Sequence, residues 1–353
     1  MLPKGTLPRL ESEFTHTLFY LAQLYKHLGN AQQSAAYCHQ TLQRQLKYDI
    51  DTLNRKEWVV NAQNLAVFYI NEGRFRQGIH CLEAAGKMCE SVLSPDDDDE
   101  KESDPKVSEV EGGRFHDVEE EKRMKADIEN SWGVLYSEIL KKSYVIMAAA
   151  EDTDADSGGG SGDATGGDEE KEAALNPLMK TQSLIALDEK LKIDNAAVLF
   201  ESLDLDEPPM MELASTYKEA KELFVPGLSH FMNAIAFYVL DGFVTDHTKI
   251  AQNISTIYKY LAFFEGDLST KCKLHKRRVN LLKDIEGQLA VNAYEHLVQD
   301  LCYELGSTYE NMATLKRDIF HRQQDETKQS GNGIKPVGAA QAKQIKKIND
   351  LLS

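Results

Sequence analysis

Apolar residues recur at intervals of three and four along most of this chain, the spacing of an amphipathic helix with one buried face. From Phe14 to Leu46 the series is Leu18, Leu21, Ala22, Tyr25 and Leu28, then Ala35, Cys38 and Leu42 after Gly29-Asn30. This pattern predicts two helices joined by a tight turn. Trp58 to Met88 repeats the design: Ala62, Leu65, Ala66 and Tyr69, the turn Glu72-Gly73-Arg74-Phe75, then Ile79, Leu82, Ala85 and Met88. Superposing Gly29 on Gly73 puts Leu21 on Leu65, Ala22 on Ala66, Tyr25 on Tyr69, Ala35 on Ile79 and Cys38 on Leu82. The first helices read as copies. The second match less well, because Leu42 falls on Gly86, which has no side chain to pack. Further helices are expected over residues 125–150, 181–200, 211–240, 247–264, 269–289, 294–323 and 341–352.

The Leu-Ala-x-x-Tyr pattern with glycine at the turn resembles the tetratricopeptide repeat. A fainter third instance is Leu305-Gly306-Ser307-Thr308-Tyr309. Small residues at Ala22, Ala66 and Gly306 suit a point where two helices cross, with Tyr25, Tyr69 and Tyr309 filling the space beside them. Hairpins of this kind bury their apolar faces by stacking. The fold class expected is therefore all-α, a right-handed tetratricopeptide-like α-solenoid of helical hairpins with a concave groove.

Punctuation and charge divide the chain. Eight of its nine prolines sit in polar or acidic connecting stretches; Pro226 alone interrupts an apolar-periodic segment and is expected to break its helix. The formal charge of −17 resides in two tracts: Asp96–Lys122 carries 13 acids against 4 bases, and Glu151–Glu172 carries 9 against 1. The remainder is neutral, so the charge describes solvated linkers rather than a folded acidic surface. The Gly/Ser-rich run from Ser157 has nothing to bury and reads as a tether. The expected organisation is hairpins over 1–93, an acidic linker over 94–124 and a helix over 125–150. A disordered linker follows over 151–180, a connecting helix and carboxy-terminal repeats over 181–325, and a polar linker with an incomplete helix over 326–353.

Little catalytic chemistry is legible. Five cysteines without C-x-x-C spacing suggest neither disulfides nor a zinc site, and point to a reducing cytoplasm. The pairs Cys38-His39 and His80-Cys81 point to different faces of a helix and read as packed residues. In Asp241-Gly242-Phe243-Val244-Thr245-Asp246-His247, Asp241-Gly242 reads as a helix stop, and Thr245 or Asp246 as the next helix's cap. No membrane span, secretory leader, metal, cofactor or enzymatic activity is expected. The strongest charge feature is Lys271-Cys272-Lys273-Leu274-His275-Lys276-Arg277-Arg278, with five positive charges in eight residues. It reads as a nucleic-acid or nuclear signal, a protein-docking surface, or the wet face of a helix. The stripe Leu268, Cys272, His275, Val279, Leu282 leaves the basic residues outward, and the absence of a second patch or stacking platform argues against nucleic acid. Lys273 and Lys276 are thus candidate partner contacts.

By the hairpin register the groove is expected to be lined by His16, Phe19, Gln23, Lys26 and His27 in one row and Val60, Gln63, Val67 and Asn71 in the next, bordered by Tyr20 and Asn64. Amides and an aromatic suit hydrogen bonding to another protein's helix.

Several longer strings resemble one family. These are Phe14-Thr-His-Thr-Leu-Phe-Tyr-Leu-Ala-Gln-Leu-Tyr, Tyr37-Cys-His-Gln-Thr-Leu-Gln-Arg-Gln-Leu, Glu57-Trp58 with Asn61, Phe68-Tyr-Ile-Asn, Asp241-Gly-Phe-Val-Thr-Asp-His, Leu261-Ala-Phe-Phe-Glu and Cys272-Lys-Leu-His-Lys-Arg-Arg. They are similar to the kinesin-binding protein (KIF-binding protein) family. The resemblance implies a non-enzymatic α-solenoid that grips kinesin motor domains and keeps them off microtubules, in the cytoplasm and associated with the cytoskeleton. It also implies that the chain lacks the family's first and last repeats. Tyr20, Gln23, Gln45 and Asn61 stand in matching strings and become groove candidates, with Lys26, Gln63 and Asn64 beside them. The alternative carried by the residues is a tetratricopeptide co-chaperone or general interaction scaffold.

Overall fold

The computed structural model describes residues 6–48, 53–93, 111–156, 200, 203, 205 and 211–329. All but Phe200 of the helix expected over 181–200, the helix expected over 341–352, the polar linker from residue 330, and residues 94–110 and 157–172 lie outside them, whereas residues 111–124 and 151–156, expected as linker, are helical. Nine helices occur among the described residues, with no strand. They are α1 (Thr6–His27), α2 (Ala31–Tyr48), α3 (Arg55–Asn71), α4 (Phe75–Leu93), α5 (Glu111–Asp156), α6 (Tyr217–Phe237), α7 (Val244–Phe264), α8 (Leu268–Glu286) and α9 (Glu295–Gln329). Two compact units result. The first comprises Met1–Ile139 and Ala173–Leu213, the second Leu140–Glu172 and Ala214–Ser353.

In the first unit the copied turns are identical bond for bond. Gly29 and Gly73 both adopt φ 73°, the left-handed conformation that glycine enters without strain. Gly29 N–H donates to Lys26 O (3.1 Å) and Asn30 N–H to Tyr25 O (2.9 Å); Gly73 donates to Ile70 O (3.0 Å) and Arg74 to Tyr69 O (2.8 Å). Each is a Schellman motif that satisfies the last carbonyls of its helix. Ala22 and Ala66 are buried where α1 meets α2 and α3 meets α4. Ser34 Oγ donates to Ala22 O (2.9 Å), and its counterpart Gly78 packs so tightly that a Cβ there would sit 2.7 Å from Ile70 Cγ1 and 3.4 Å from Ala66 O. The second helices therefore do share a close-approach position, which the comparison of Leu42 with Gly86 did not show.

The amino-terminal part of α5 packs on α3, where Gln63 Nε2 donates to Ser131 Oγ (3.0 Å). Phe200 plugs the first unit's core. It lies between the His39 and His80 rings (4.9 and 5.2 Å) and edge-on to Trp58 (5.2 Å), and its N–H donates to His80 Nε2 (2.9 Å). Burial, with the Arg76 charge, lowers the His80 pKa from 6.5 to about 4, so the ring is a neutral acceptor. His39 Nδ1 shares a hydrogen bond with the Tyr69 hydroxyl (3.0 Å). Both adjacent Cys/His pairs are thus packed helix residues.

In the second unit, α6 begins with a capping box between Thr216 and Glu219 and runs unbroken through Pro226. Proline in a helix removes one bond to the residue four before it. Here that residue is the exposed Glu222, which accounts for the survival of the helix. The start of α7 also differs from expectation: Phe243 is the N-cap and makes no side-chain hydrogen bond, so Thr245 and Asp246 fall inside the first turn. His247 Nδ1 instead reaches back to Tyr238 O (2.6 Å).

Gly306 is not a crossing point. It is exposed, with nothing within 4 Å of a Cβ, and α9 passes through it without a turn. The core of this unit takes Leu301, Leu305 and Met312 from α9, together with Ala251, Val279, Leu282 and Ile285. That choice of face turns Gly306 outward while Tyr309 packs against the cluster.

Candidate partner-binding cleft

A cleft of about 350 Å³ opens in the first unit where α1, α2 and the start of α3 converge. Each wall comes from helical spacing: His16, Phe19 and Gln23 from α1, Cys38, Thr41 and Gln45 from α2, and Glu57 and Asn61 from α3, with Asn54 just before it. Asn54 caps α3, its Oδ1 accepting from Glu57 N–H (3.2 Å), and so fixes the near wall.

Gln23, Gln45 and Asn61 therefore meet in one cavity, although up to 38 positions separate them in the sequence. Tyr20 stands at 69% exposure beside Phe19, with ring centroids 5.7 Å apart. Lys26 and His27 are exposed further along α1. At the start of α3 the cleft is lined by the cap Asn54 and by Glu57 and Asn61 rather than by the expected row Val60, Gln63, Val67 and Asn71. Gln63 is half-buried and engaged with Ser131, and Asn64 is exposed. Lys273 and Lys276 are exposed on α8 in the second unit.

Asn54, Thr41, Thr15 and Ser12 were not singled out by sequence reasoning. Asn54 carried a signal, a cap residue three positions before a glutamate at the head of an apolar run. The hydroxyls carried none.

Chemically the cleft offers amides that both donate and accept, hydroxyls, an imidazole and one carboxylate. Its thiol is not a nucleophile at neutral pH, because burial pushes Cys38 up to about 11. No group of three or more metal-ligating side chains occurs among the described residues, and none of the described helices is long and apolar enough to cross a membrane.

The basic run resolves into two environments. Lys273, Lys276 and Arg277 are exposed, but Arg278 is 4% exposed and does not point outward as expected. Its Nη2 pairs with Glu304 Oε1 (3.2 Å), its Nε donates to Ser255 Oγ (3.0 Å), and its Nη1 lies 3.1 Å from His275 Nδ1. Ser255 also donates to Glu304. Burial and the adjacent Arg278 charge lower the His275 pKa to about 4, leaving a neutral ring.

The sequence profile of the family described as "KIF-1 binding protein C terminal" matches residues 56–352. The KIF-binding protein of Danio rerio is 35% identical over 87% of this chain and 46% of its own length. The human protein of that name is 32% identical over 90% of this chain and 48% of its own, and the Drosophila melanogaster protein 27% identical over 88% and 47%. The chain thus spans about half the length of the curated relatives it matches. A family profile covering most of the chain, and relatives aligned along nearly all of it, give one conclusion: this chain belongs to the KIF-binding protein family.

Proposed function

We propose that this chain is a non-enzymatic binder of kinesin motor domains that uses the α1–α3 cleft to hold a motor helix and so blocks attachment to microtubules. The helical hairpins belong, on this reading, to a right-handed tetratricopeptide-like solenoid, and the protein works in the cytoplasm beside the cytoskeleton. The observation that carries the reading is the meeting of Gln23, Gln45 and Asn61 in one cleft of a chain whose family is named for KIF binding. A helix has no spare backbone donors except at its ends, so recognition falls to side chains, for which amides are suited. The volume suits a few side chains from the partner helix rather than the helix itself. Tyr20, exposed beside the cleft-lining Phe19, contributes apolar contact, and Lys26, Gln63 and Asn64 extend the surface along α1 and α3.

Inhibition then needs no chemistry from this protein, because a motor helix held here is unavailable to tubulin. The test is kinesin motor affinity and microtubule co-sedimentation for a Tyr20→Asp, Gln23→Ala chain. Loss of these contacts is expected to cost about 2 kcal/mol, roughly thirtyfold in affinity, with helical circular dichroism unchanged. Unchanged affinity in the folded variant would refute the cleft as the site.

A further inference from the structure

We propose that the outer face of α8, flanked by Lys259 of α7 and Lys316 of α9, is a second docking surface, one that takes an acidic, extended polypeptide segment. Lys273, Lys276 and Arg277 are exposed on α8, Lys259 is exposed on α7, and Lys316 is half-exposed on α9. None of these five has a carboxylate within ion-pair distance among the described residues. α8 packs against both α7 and α9, so Lys259 and Lys316 are carried by its two neighbouring helices. Lys271 is directed at α7, 3.5 Å from Phe263 O. Asp267, at the head of α8, is engaged in capping the helix through Ser269 and Thr270 N–H.

These charges sit on a fixed platform. Ser255 of α7, Arg278 of α8 and Glu304 of α9 form one hydrogen-bonded group, so the fifth cation of the run ties three helices together while Lys273, Lys276 and Arg277 stay on the exposed side of α8. Cations held at fixed spacing lose less freedom on binding than cations on a mobile tail.

The dimensions select the partner. Lys271 to Arg277 rises about 9 Å along the helix. An extended chain advancing about 3.3 Å per residue brings two or three carboxylates within that reach. A nucleic acid gains its affinity from a longer row of phosphates and from stacking. The ring beside the face, Tyr258, has the Arg277 guanidinium over it at 6.0 Å.

The test is fluorescence anisotropy of the whole chain with a fluorescein-labelled oligo-glutamate peptide and, separately, an oligothymidylate of equal charge. A Lys273→Glu, Lys276→Glu, Arg277→Glu variant is compared with a control that reverses the same number of exposed lysines elsewhere in the unit: Lys218→Glu, Lys221→Glu, Lys249→Glu. Peptide affinity is expected to fall at least about tenfold in the first and less than about twofold in the second, with the oligonucleotide binding more weakly than the peptide. The milder Lys273→Gln, Lys276→Gln, Arg277→Gln chain, with unchanged circular dichroism, should show an intermediate loss. No peptide binding by the native chain, equal losses in both charge-reversal variants, or tighter oligonucleotide binding abolished by the face variant would each overturn the proposal. Kinesin binding through the α1–α3 cleft is measured apart from this and stands or falls on its own.

Discussion

The α1–α4 hairpins and the α7–α9 group begin from the same apolar spacing and solve helix crossing in opposite ways. In the hairpins the helices approach through missing atoms: Ala22, Ala66 and Gly78 leave room, and a serine hydroxyl or a bare Cα meets the facing carbonyl. In the α7–α9 group a charged pair fills the junction, with Arg278 and Glu304 bridging helices and Ser255 between them. Steric crossings carry no net charge and leave polar residues free to line a cleft. An ionic crossing uses one cation internally and sets the others on the surface. Periodicity thus fixes that helices pack, while the residues at the crossing decide which surface is left for a partner.

The largest effect should come from breaking the ionic crossing. Glu304→Ala leaves the buried Arg278 charge uncompensated and is expected to cost about 3 kcal/mol in urea unfolding followed by circular dichroism. Replacing both partners, Arg278→Met with Glu304→Met, should cost much less. Equal costs would mean that the pair is not what holds this junction.

Acid acts on both regions through one buried histidine each. The folded pKa values of His80 and His275 are about 4, below the ordinary 6.5, so the unfolded chain takes up these protons first. Stability is therefore full above about pH 6.5 and declines as pH falls toward 4. His80→Gln and His275→Gln should each flatten the decline measured by denaturant midpoints. Profiles parallel to the native one would show that these rings are not the titrating groups.

The smallest effect sharpens the steric side. Gly78→Ala forces a Cβ to 2.7 Å from the buried Ile70 and should destabilise by about 1–2 kcal/mol. Gly86→Ala, where nothing lies within 4 Å, should stabilise α4 by about 0.5–1 kcal/mol through helix propensity alone. Thermal melts that moved in the same direction would contradict this picture of the crossing.

Much of the first unit was legible because its signals are local. Glycine at the turns, the apolar stripes and the 44-residue offset depend on neighbouring residues only, and the turn hydrogen bonds follow that offset atom for atom. The α3 row expected to face the groove was not the set that lines this cleft, because which side of a helix meets a neighbour depends on that neighbour: α5 engages Gln63, while Glu57, Asn61 and the cap Asn54 line the cleft. Gly306 failed for a related reason, since a short motif does not specify the rotation of a long helix against its partners.

The sequence by itself determined an all-helical chain, the hairpin turns and the seclusion of its net charge in two tracts, because periodicity, backbone freedom and ionisation are properties of nearby residues. Only the tertiary structure decided that Gln23, Gln45 and Asn61 share a cavity, that Phe200 fills the slot between two neutral histidines, and that Arg278 turns inward. Each of these joins residues distant in the chain, and burial and pairing energies between such residues exist only once the helices have packed.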